Sequence, residues 1–349
     1  MDRRILRFGA KMVSNRLRGK HSPFIVQLTL LNQCNYQCGY CYAEYYNRGG
    51  KSMSLERVYY VLECLAKAGA FRVNLLGGEP LIRKDVEQIV DRGNELGLMM
   101  VMNTNGYFVR ERIELVKRLY SICISLDGDQ KTNDLNRGEG TFAQTMDGVE
   151  ACRENGIPVN FSAVLSRHTC DQVDYLVGVA RQYGGMVDFT TLISQEREGN
   201  KNNESLYPRR EQLDSALRRI IELRKQGAPI GFSIASYQHA LNWPDHKIPY
   251  YEGREPAWND VACLAGRDYI FIDYNGDIYP CPQRVGLMRH GNIFTDGFDE
   301  AYRIAAGHEC KTCHQPCTTD LSLFFGARPG TIVSKARQGL TPLLRRRPA

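Results

Sequence analysis

Three cysteines, Cys34, Cys38 and Cys41, stand in a Cys-x3-Cys-x2-Cys run directly after the apolar stretch 24–31. Three thiolates hold three irons of a [4Fe–4S] cube and leave the fourth iron open to an exchangeable ligand. A zinc knuckle or storage cluster closes all its positions, and no Cys, His or Asp follows at short spacing to close this one. Among 12 Cys in 349 residues, such a triple arises by chance in about one chain in seventy. A second group, Cys263, Cys281, Cys310, Cys313 and Cys317, lies near the end of the chain. An open metal position implies chemistry, and the remaining question is what scaffold presents it.

Short β-branched apolar runs near 24–31, 72–76, 98–103, 120–125, 158–165 and 186–193 alternate with amphipathic segments near 54–69, 83–96, 110–118, 141–155, 170–183 and 208–226. This alternation predicts parallel strands joined by right-handed crossover helices. Six such units give an α/β fold, a partial (β/α)6 TIM-like barrel over 24–230, with a small Cys-rich iron–sulfur domain at 260–326. Barrel chemistry sits in the loops after the strand C-termini. The Cys triple follows the first strand, Gly77-Gly78-Glu79-Pro80 the second, Asn103 to Gly106 the third and Ser125 to Gly128 the fourth. Residues 231–259, rich in Pro, Tyr and charge toward their end, read as a linker or lid. In the last part, alternation around Asn275-Gly276 predicts a two-residue hairpin turn that brings Cys263 and Cys281 together.

Composition is that of an ordinary soluble protein, 43% hydrophobic and 24% charged. No apolar run approaches a membrane span. The metal-like spacings, with no secretory signal before them, predict reduced thiols in a cytoplasm. Cys64, Cys123, Cys152 and Cys170 fall in apolar periodic segments and read as small core residues. Charge is uneven: residues 1–21 and 327–349 each carry a net +6, against +6 for the whole chain, so the body is acidic. The N-terminal arm, 1–23, reads as a basic amphipathic helix, which either packs on the barrel bottom or lies on an anionic membrane surface. No basic patch interleaved with aromatics appears, so nucleic acid is not an expected partner. Several apparent signals fail on context. Arg3-Arg4 lacks the apolar region of an export signal, and Gly50-Lys51-Ser52 lacks the first glycine of a phosphate loop. Cys310 to His314 matches a haem attachment motif but lies among other cysteines, and Asn203 is a glycosylation acceptor only in a secreted protein.

From about residue 24 to 326 the chain resembles the radical S-adenosylmethionine (SAM) enzymes, specifically their SPASM/twitch branch. The first motif is matched by Cys34, Cys38, Tyr40 and Cys41, the hairpin Cys-x12-Gly-x4-Cys by Cys263, Gly276 and Cys281. The resemblance implies a SAM-binding [4Fe–4S] cluster on the first three cysteines, with Tyr40 beside the adenine. It implies that Gly77, Gly78 and Glu79 meet the methionyl ammonium, where backbone carbonyls and a carboxylate are chemically suited. Asn105 and Ser125 lie in segments facing the ribose and carboxylate, and Arg137 resembles an arginine that pairs with the carboxylate. The activity implied is reductive cleavage of SAM to a 5′-deoxyadenosyl radical that abstracts a substrate hydrogen, with electrons from a low-potential donor such as flavodoxin or ferredoxin.

Five C-terminal thiols cannot fill two closed cubes. One auxiliary [4Fe–4S] cluster on Cys263, Cys281, Cys310 and Cys313 is expected, with Cys317 spare or replacing one of them; a zinc site of the same ligands is the alternative. Pro282 stands where sulfatase-maturing relatives carry an Asp, so that oxidation is not expected. About 23 residues precede the first strand, so a peptide substrate would need a separate recruiting chain. Asp127, Glu196, Glu198, His239 and His246 are further acid or base candidates, each more often a solvated loop residue. The substrate class is a peptide, cofactor, natural product or lipid. The competing class is a non-catalytic metal-binding interaction protein on a relic barrel, against which the intact triple and Gly-Gly-Glu-Pro argue.

Overall fold

The computed structural model describes residues 3–41, 43–44, 49–193 and 204–327. After a first helix, α1 (Arg3–Leu17), come β1 (Ile25–Thr29), α2 (Leu55–Ala68), β2 (Arg72–Leu76), α3 (Val86–Glu95), β3 (Met99–Thr104), α4 (Ile113–Val116) and β4 (Ser121–Ser125). Then follow α5 (Gln130–Arg137), α6 (Thr141–Glu154), β5 (Val159–Leu165), α7 (Val173–Gln182), β6 (Val187–Thr191) and α8 (Arg210–Lys225). Strands β1 to β6 pair in parallel and in sequence order, the partial barrel that the alternation predicts. Local chemistry sets the ends: the Ser54 side chain accepts from Arg57 N at the start of α2, and Gly69 ends it in the left-handed region. Helix α5 has no counterpart among the expected segments. Its buried residues are Thr132, Asn133, Asn136 and Arg137, so it carries no apolar period to read.

The two faces of the strands differ. Val26, Leu28, Val73, Leu75, Ile122 and Phe161 are buried against the helices in one continuous core. On the alternate positions, Gln27, Ser121, Cys123, Ser125, Asn160, Ser162, Asp188 and Thr190 are half-buried. Barrel interiors are normally filled with layers of Val, Ile and Leu. Here the inner face is polar, and mostly short side chains line it.

The C-terminal part grips both edges of this open barrel. It contains α9 (Ile234–Leu241), β7 (Tyr250–Glu252), β8 (Tyr269–Ile272), β9 (Asp277–Tyr279), β10 (Gly291–Asn292), α10 (Phe298–Ala306), β11 (Cys310–Cys313) and α11 (Pro316–Phe325). Strand β8 adds parallel to β1, so the sheet runs β10-β9-β8-β1-β2-β3-β4-β5-β6, while β11 pairs antiparallel with β7. At the other edge Gln315 Nε2 donates to the Thr191 carbonyl at 2.5 Å, and His314 Nδ1 lies 2.8 Å from Thr191 Oγ1. Ser233 N donates to Asp320 Oδ1 at 2.8 Å.

Two expectations change. The segment 231–259 is built into this closure rather than hanging as a linker or lid: Tyr237 and Trp243 are fully buried, and α9 packs on α8 and α11. Its many polar residues mask that apolar contribution. The hairpin turn is a three-residue loop, because Asp273 N bonds Asp277 O and Gly276 N bonds Asp273 O, with Gly276 at φ +94°. A type I turn followed by a left-handed glycine satisfies the same Asn-Gly signal.

Helix α1 forms as expected and packs by one face. Phe8 stacks on Phe71 at 4.4 Å and meets Phe24 edge-on at 5.3 Å, while Arg16 Nη1 donates to the Phe325 carbonyl at 2.7 Å. Among the described residues no helix is long and apolar enough to cross a membrane. Glu196, Glu198 and nearly all of the basic tail 327–349 lie outside the described residues.

Candidate active site and a second cysteine site

The loop leaving β1 carries Cys34, Cys38 and Cys41 across the C-terminal mouth of the barrel, and every neighbouring strand end holds it. Gly78 N donates to Leu31 O at 3.1 Å and Glu79 N to Gln33 O at 2.9 Å. A Cβ on Gly78 would fall 1.9 Å from the Gln33 carbonyl oxygen, so only glycine fits. The first duty of this glycine is to the cysteine loop itself, through an approach that sequence alone does not reveal. Asn105 Nδ2 donates to Asn35 Oδ1 at 2.8 Å, Tyr36 Oη to Gln144 Oε1 at 3.0 Å, and Gly39 N to Asn136 O at 3.1 Å. All three thiols are half-buried, and Cys41 lies near enough for its charge to raise the pKa values of Cys34 and Cys38, as does Cys34 for Cys38. Burial pushes Cys34 up to about 11, against the pull of Tyr36 N at 3.4 Å from its sulfur. Burial pushes Cys38 up to about 12, against the nearby Arg137 guanidinium. These sulfurs keep their protons until a metal supplies positive charge, so the donor set fits an iron–sulfur cluster.

Two buried carboxylates brace the loop. Glu79 is fully buried; its carboxylate accepts from Leu81 N at 3.0 Å, Thr104 Oγ1 at 2.7 Å and Asn105 N at 2.8 Å. Burial outweighs these donors and lifts its pKa to about 7. In this arrangement the side chain braces the loops after β2 and β3. Asp127 is also fully buried and accepts from Arg137 Nε at 2.9 Å, Arg137 Nη2 at 3.2 Å and Val164 N at 3.2 Å, with a short hydrogen bond from Tyr40 Oη. The Arg137 guanidinium lies 5.6 Å from the centre of the Tyr40 ring. Burial opposes the charge of Arg137, yet Asp127 prevails and holds its pKa above the ordinary value. Asp127 therefore orients Arg137 and Tyr40 and is not presented to a substrate. Asn35, Tyr36 and Asn136 went unread because polar residues in this loop and in α5 carry no apolar period.

Ser125 ends β4 on the polar inner face, half-buried. His239 and His246 lie elsewhere, in the C-terminal part, His239 beside Trp243 and His246 beside His314; His246 Nε2 meets Ala240 O at 2.9 Å, and burial lowers both pKa values.

At the second group, Cys263 and Cys281 lie close enough to Cys310 and Cys313 for their charges to raise the pKa values of both, after burial, which is the larger cause. Burial pushes Cys281 up to about 12. Cys263 N donates to Lys311 O at 2.8 Å, and a small cavity is lined by Val261, Cys263, Thr312, Cys313 and Ser322. Among the described residues no three Cys, His, Asp or Glu side chains converge as a single metal ion requires. Cys317, in the first turn of α11, lies near Cys281 and Cys313 on one side and Asp188 of the barrel interior on the other. Sequence reasoning missed Arg284 and Glu252 here. Cys310 Sγ donates to Glu252 Oε1 at 3.3 Å, and Arg284 Nη2 donates to the same oxygen at 2.5 Å.

Comparison with known proteins agrees with this arrangement. The Radical SAM superfamily family model matches residues 28–178, and the iron-sulfur cluster-binding domain SPASM matches 263–318. Mycofactocin maturase MftC of Mycobacterium ulcerans is 28% identical over 306 residues, covering 84% of this chain and 78% of that protein. The AdoMet-dependent heme synthase of Methanosarcina barkeri is 24% identical over 304 residues, covering 82% and 83%. The fold is that of Streptococcus suis SuiB, in its crystal structure bound to precursor peptide SuiA, with a TM-score of 0.64 at 18% identity, covering 85% of this chain and 69% of that one.

Gly78→Ala must push the cysteine loop off its seat, and a displacement near 1 Å costs about 100-fold in rate. The variant is expected to keep its circular dichroism spectrum while losing first-site iron and SAM cleavage to that extent. Glu79 binds its proton more tightly folded, at about 7, than at its ordinary value of 4.5. Folding stability therefore falls as pH rises from 4.5 to 7, by on the order of 3 kcal/mol at most. Urea denaturation of the metal-free protein across that range should show a steeper fall for wild type than for Glu79→Gln; parallel curves would refute the assignment.

Proposed function

As the chain belongs to the radical SAM superfamily and carries a SPASM domain, we propose that it modifies a peptide, with Cys34, Cys38 and Cys41 holding the SAM-binding cluster. Enzymes of this family use a [4Fe–4S] cluster, SAM and auxiliary iron–sulfur. When bound, these supply the electron that cleaves the SAM sulfonium to methionine and a 5′-deoxyadenosyl radical, which takes a hydrogen from the substrate. This chain's residues bind and aim. The carbonyls of Gly77 and Gly78 suit the methionyl ammonium, Tyr40 flanks the adenine, and Asn105 and Ser125 lie at the strand ends beside it. Arg137 spends Nε and Nη2 on Asp127 and keeps Nη1 for the carboxylate.

The observation that carries the peptide reading is the polar inner face of the barrel, which Gln27, Ser125, Ser162 and Thr190 line half-buried along its depth. Such a lining suits amide groups better than an apolar macrocycle. A relative named PqqA peptide cyclase points the same way. Cys263, Cys281, Cys310 and Cys313 hold one auxiliary cluster, a reading supported by the match of residues 263–318 to an iron-sulfur cluster-binding domain. A flavodoxin or ferredoxin supplies the electron.

Anaerobic reconstitution is expected to give about eight irons and dithionite-dependent 5′-deoxyadenosine. Cys34→Ala should abolish cleavage and leave about four irons. A fully loaded protein that forms no 5′-deoxyadenosine would overturn the reading.

The basic arms supply a second contact. Leu6, Val13 and Leu17 recur on the side of α1 away from Phe8 and are 52%, 55% and 84% exposed, an apolar stripe in a segment of net +6. We place this stripe on an anionic lipid surface. Wild type should sediment with vesicles containing phosphatidylserine and release at high salt, whereas Leu6→Asp with Val13→Asp should stay in solution. Equal sedimentation of the two would remove the membrane contact.

A further inference from the structure

Beside the second cysteine group lies a guanidinium with more donors than acceptors. Arg284 is 5% exposed and follows Cys281 in a single turn opened by Pro282, its backbone N donating to the Cys281 carbonyl at 3.1 Å. The face of its guanidinium lies over the Tyr250 ring, 4.2 Å from the centroid, and Nη2 is spent on Glu252. Nε and Nη1 are buried and meet no acceptor among the described residues. Buried N–H groups are paired in native proteins, and a buried cation demands an anion. Glu252 meets only part of that demand. It sits at the surface, with its side chain 39% exposed, and the Cys310 thiol already donates to the same oxygen.

The anions within reach are the cysteines. Cys310 exerts the largest attraction on the Arg284 charge, and Cys281 feels that charge in turn. Cys310 Sγ and Arg284 Nη2 meet at the same Glu252 oxygen, at 3.3 and 2.5 Å, so the sulfur lies beside the guanidinium, and bound to metal it would accept from the idle donors of Arg284. The arrangement is half-satisfied without a cluster and complete with one.

We propose that Arg284 donates Nε–H and Nη1–H to the sulfurs of the C-terminal cluster and so raises its reduction potential. This rests on the reading of those cysteines as an iron–sulfur site. Added electron density falls largely on sulfur, so N–H donors stabilise the reduced state more than the oxidised one. Arg284 is thus a positioning residue that poises the site to receive an electron.

The test isolates that site by replacing Cys34, Cys38 and Cys41 with Ala in the full-length protein, reconstituting it and following a redox titration by electron paramagnetic resonance. Arg284→Met is expected to bind about as much iron as its parent, about four atoms, with a lower midpoint potential and shifted g values. Arg284→Lys should fall between them, since it keeps the charge but loses the fork. If the Met variant loads no iron, the Lys variant decides by the same two readouts. Parent-like potential and spectrum in a loaded variant overturn the proposal alone. A triple-Ala parent that binds no iron overturns the C-terminal cluster reading, and this proposal with it.

Discussion

The structure of the mouth depends on one close approach: the backbone of Gly78 lies against the Gln33–Cys34 peptide, with no room for a Cβ. With that contact made, Glu79 N binds Gln33 O, and the Glu79 side chain has no way to turn but inward. There its carboxylate binds Asn105 N, and the Asn105 amide reaches back to Asn35. The four residues form a closed circuit that begins and ends on the two neighbours of Cys34. A flexible loop would lose considerable backbone entropy on binding a cluster. Much of that ordering is already complete in the fold.

A second circuit holds the other end of the cysteine run. Asp127 ties β4 to β5 through Val164 N, fixes Arg137, and takes the Tyr40 hydroxyl, while Gly39 N bonds the end of α5. The two carboxylates solve the cost of burial differently. Asp127 is matched by a full cation in fork geometry, the arrangement in which a buried charge is tolerated and whose loss on one side costs about 3–5 kcal/mol. Glu79 has only neutral donors, so its pKa rises to about 7. One flank of the triple is thus an ion pair, and on the other the carboxylate binds its proton more tightly than usual.

What the sequence displayed follows from which signals repeat. The strands and their crossover helices were legible because Val73, Leu75, Ile122 and Ile124 alternate and the helices carry a 3.6 period. The cysteine triple and Gly-Gly-Glu-Pro were legible as spacings. Helix α5 was not, since it buries Asn and Thr, and residues 231–259 read as a linker because the two aromatic anchors, Tyr237 and Trp243, sit among polar residues ahead of a charged, proline-rich stretch. The inward turn of Glu79, the commitment of Asp127 to Arg137 and the place of Arg284 were beyond reach for another reason. Each depends on a contact between distant strand ends, which no local pattern records.

The two cysteine sites share one device and differ in how far it is satisfied. Each sets a buried arginine beside its thiols, Arg137 near Cys38 and Arg284 near Cys310. Arg137 is held by two bonds to a buried carboxylate, so its geometry is set before any ligand arrives. Arg284 has one bond to a half-exposed carboxylate and two idle donors. An open site must present a rigid edge to an incoming cosubstrate, and preorganised donors lose nothing on binding. A closed site has no such visitor, and its arginine is completed only by the sulfurs that close it. The pairing of each arginine therefore follows from whether its metal position is meant to stay open.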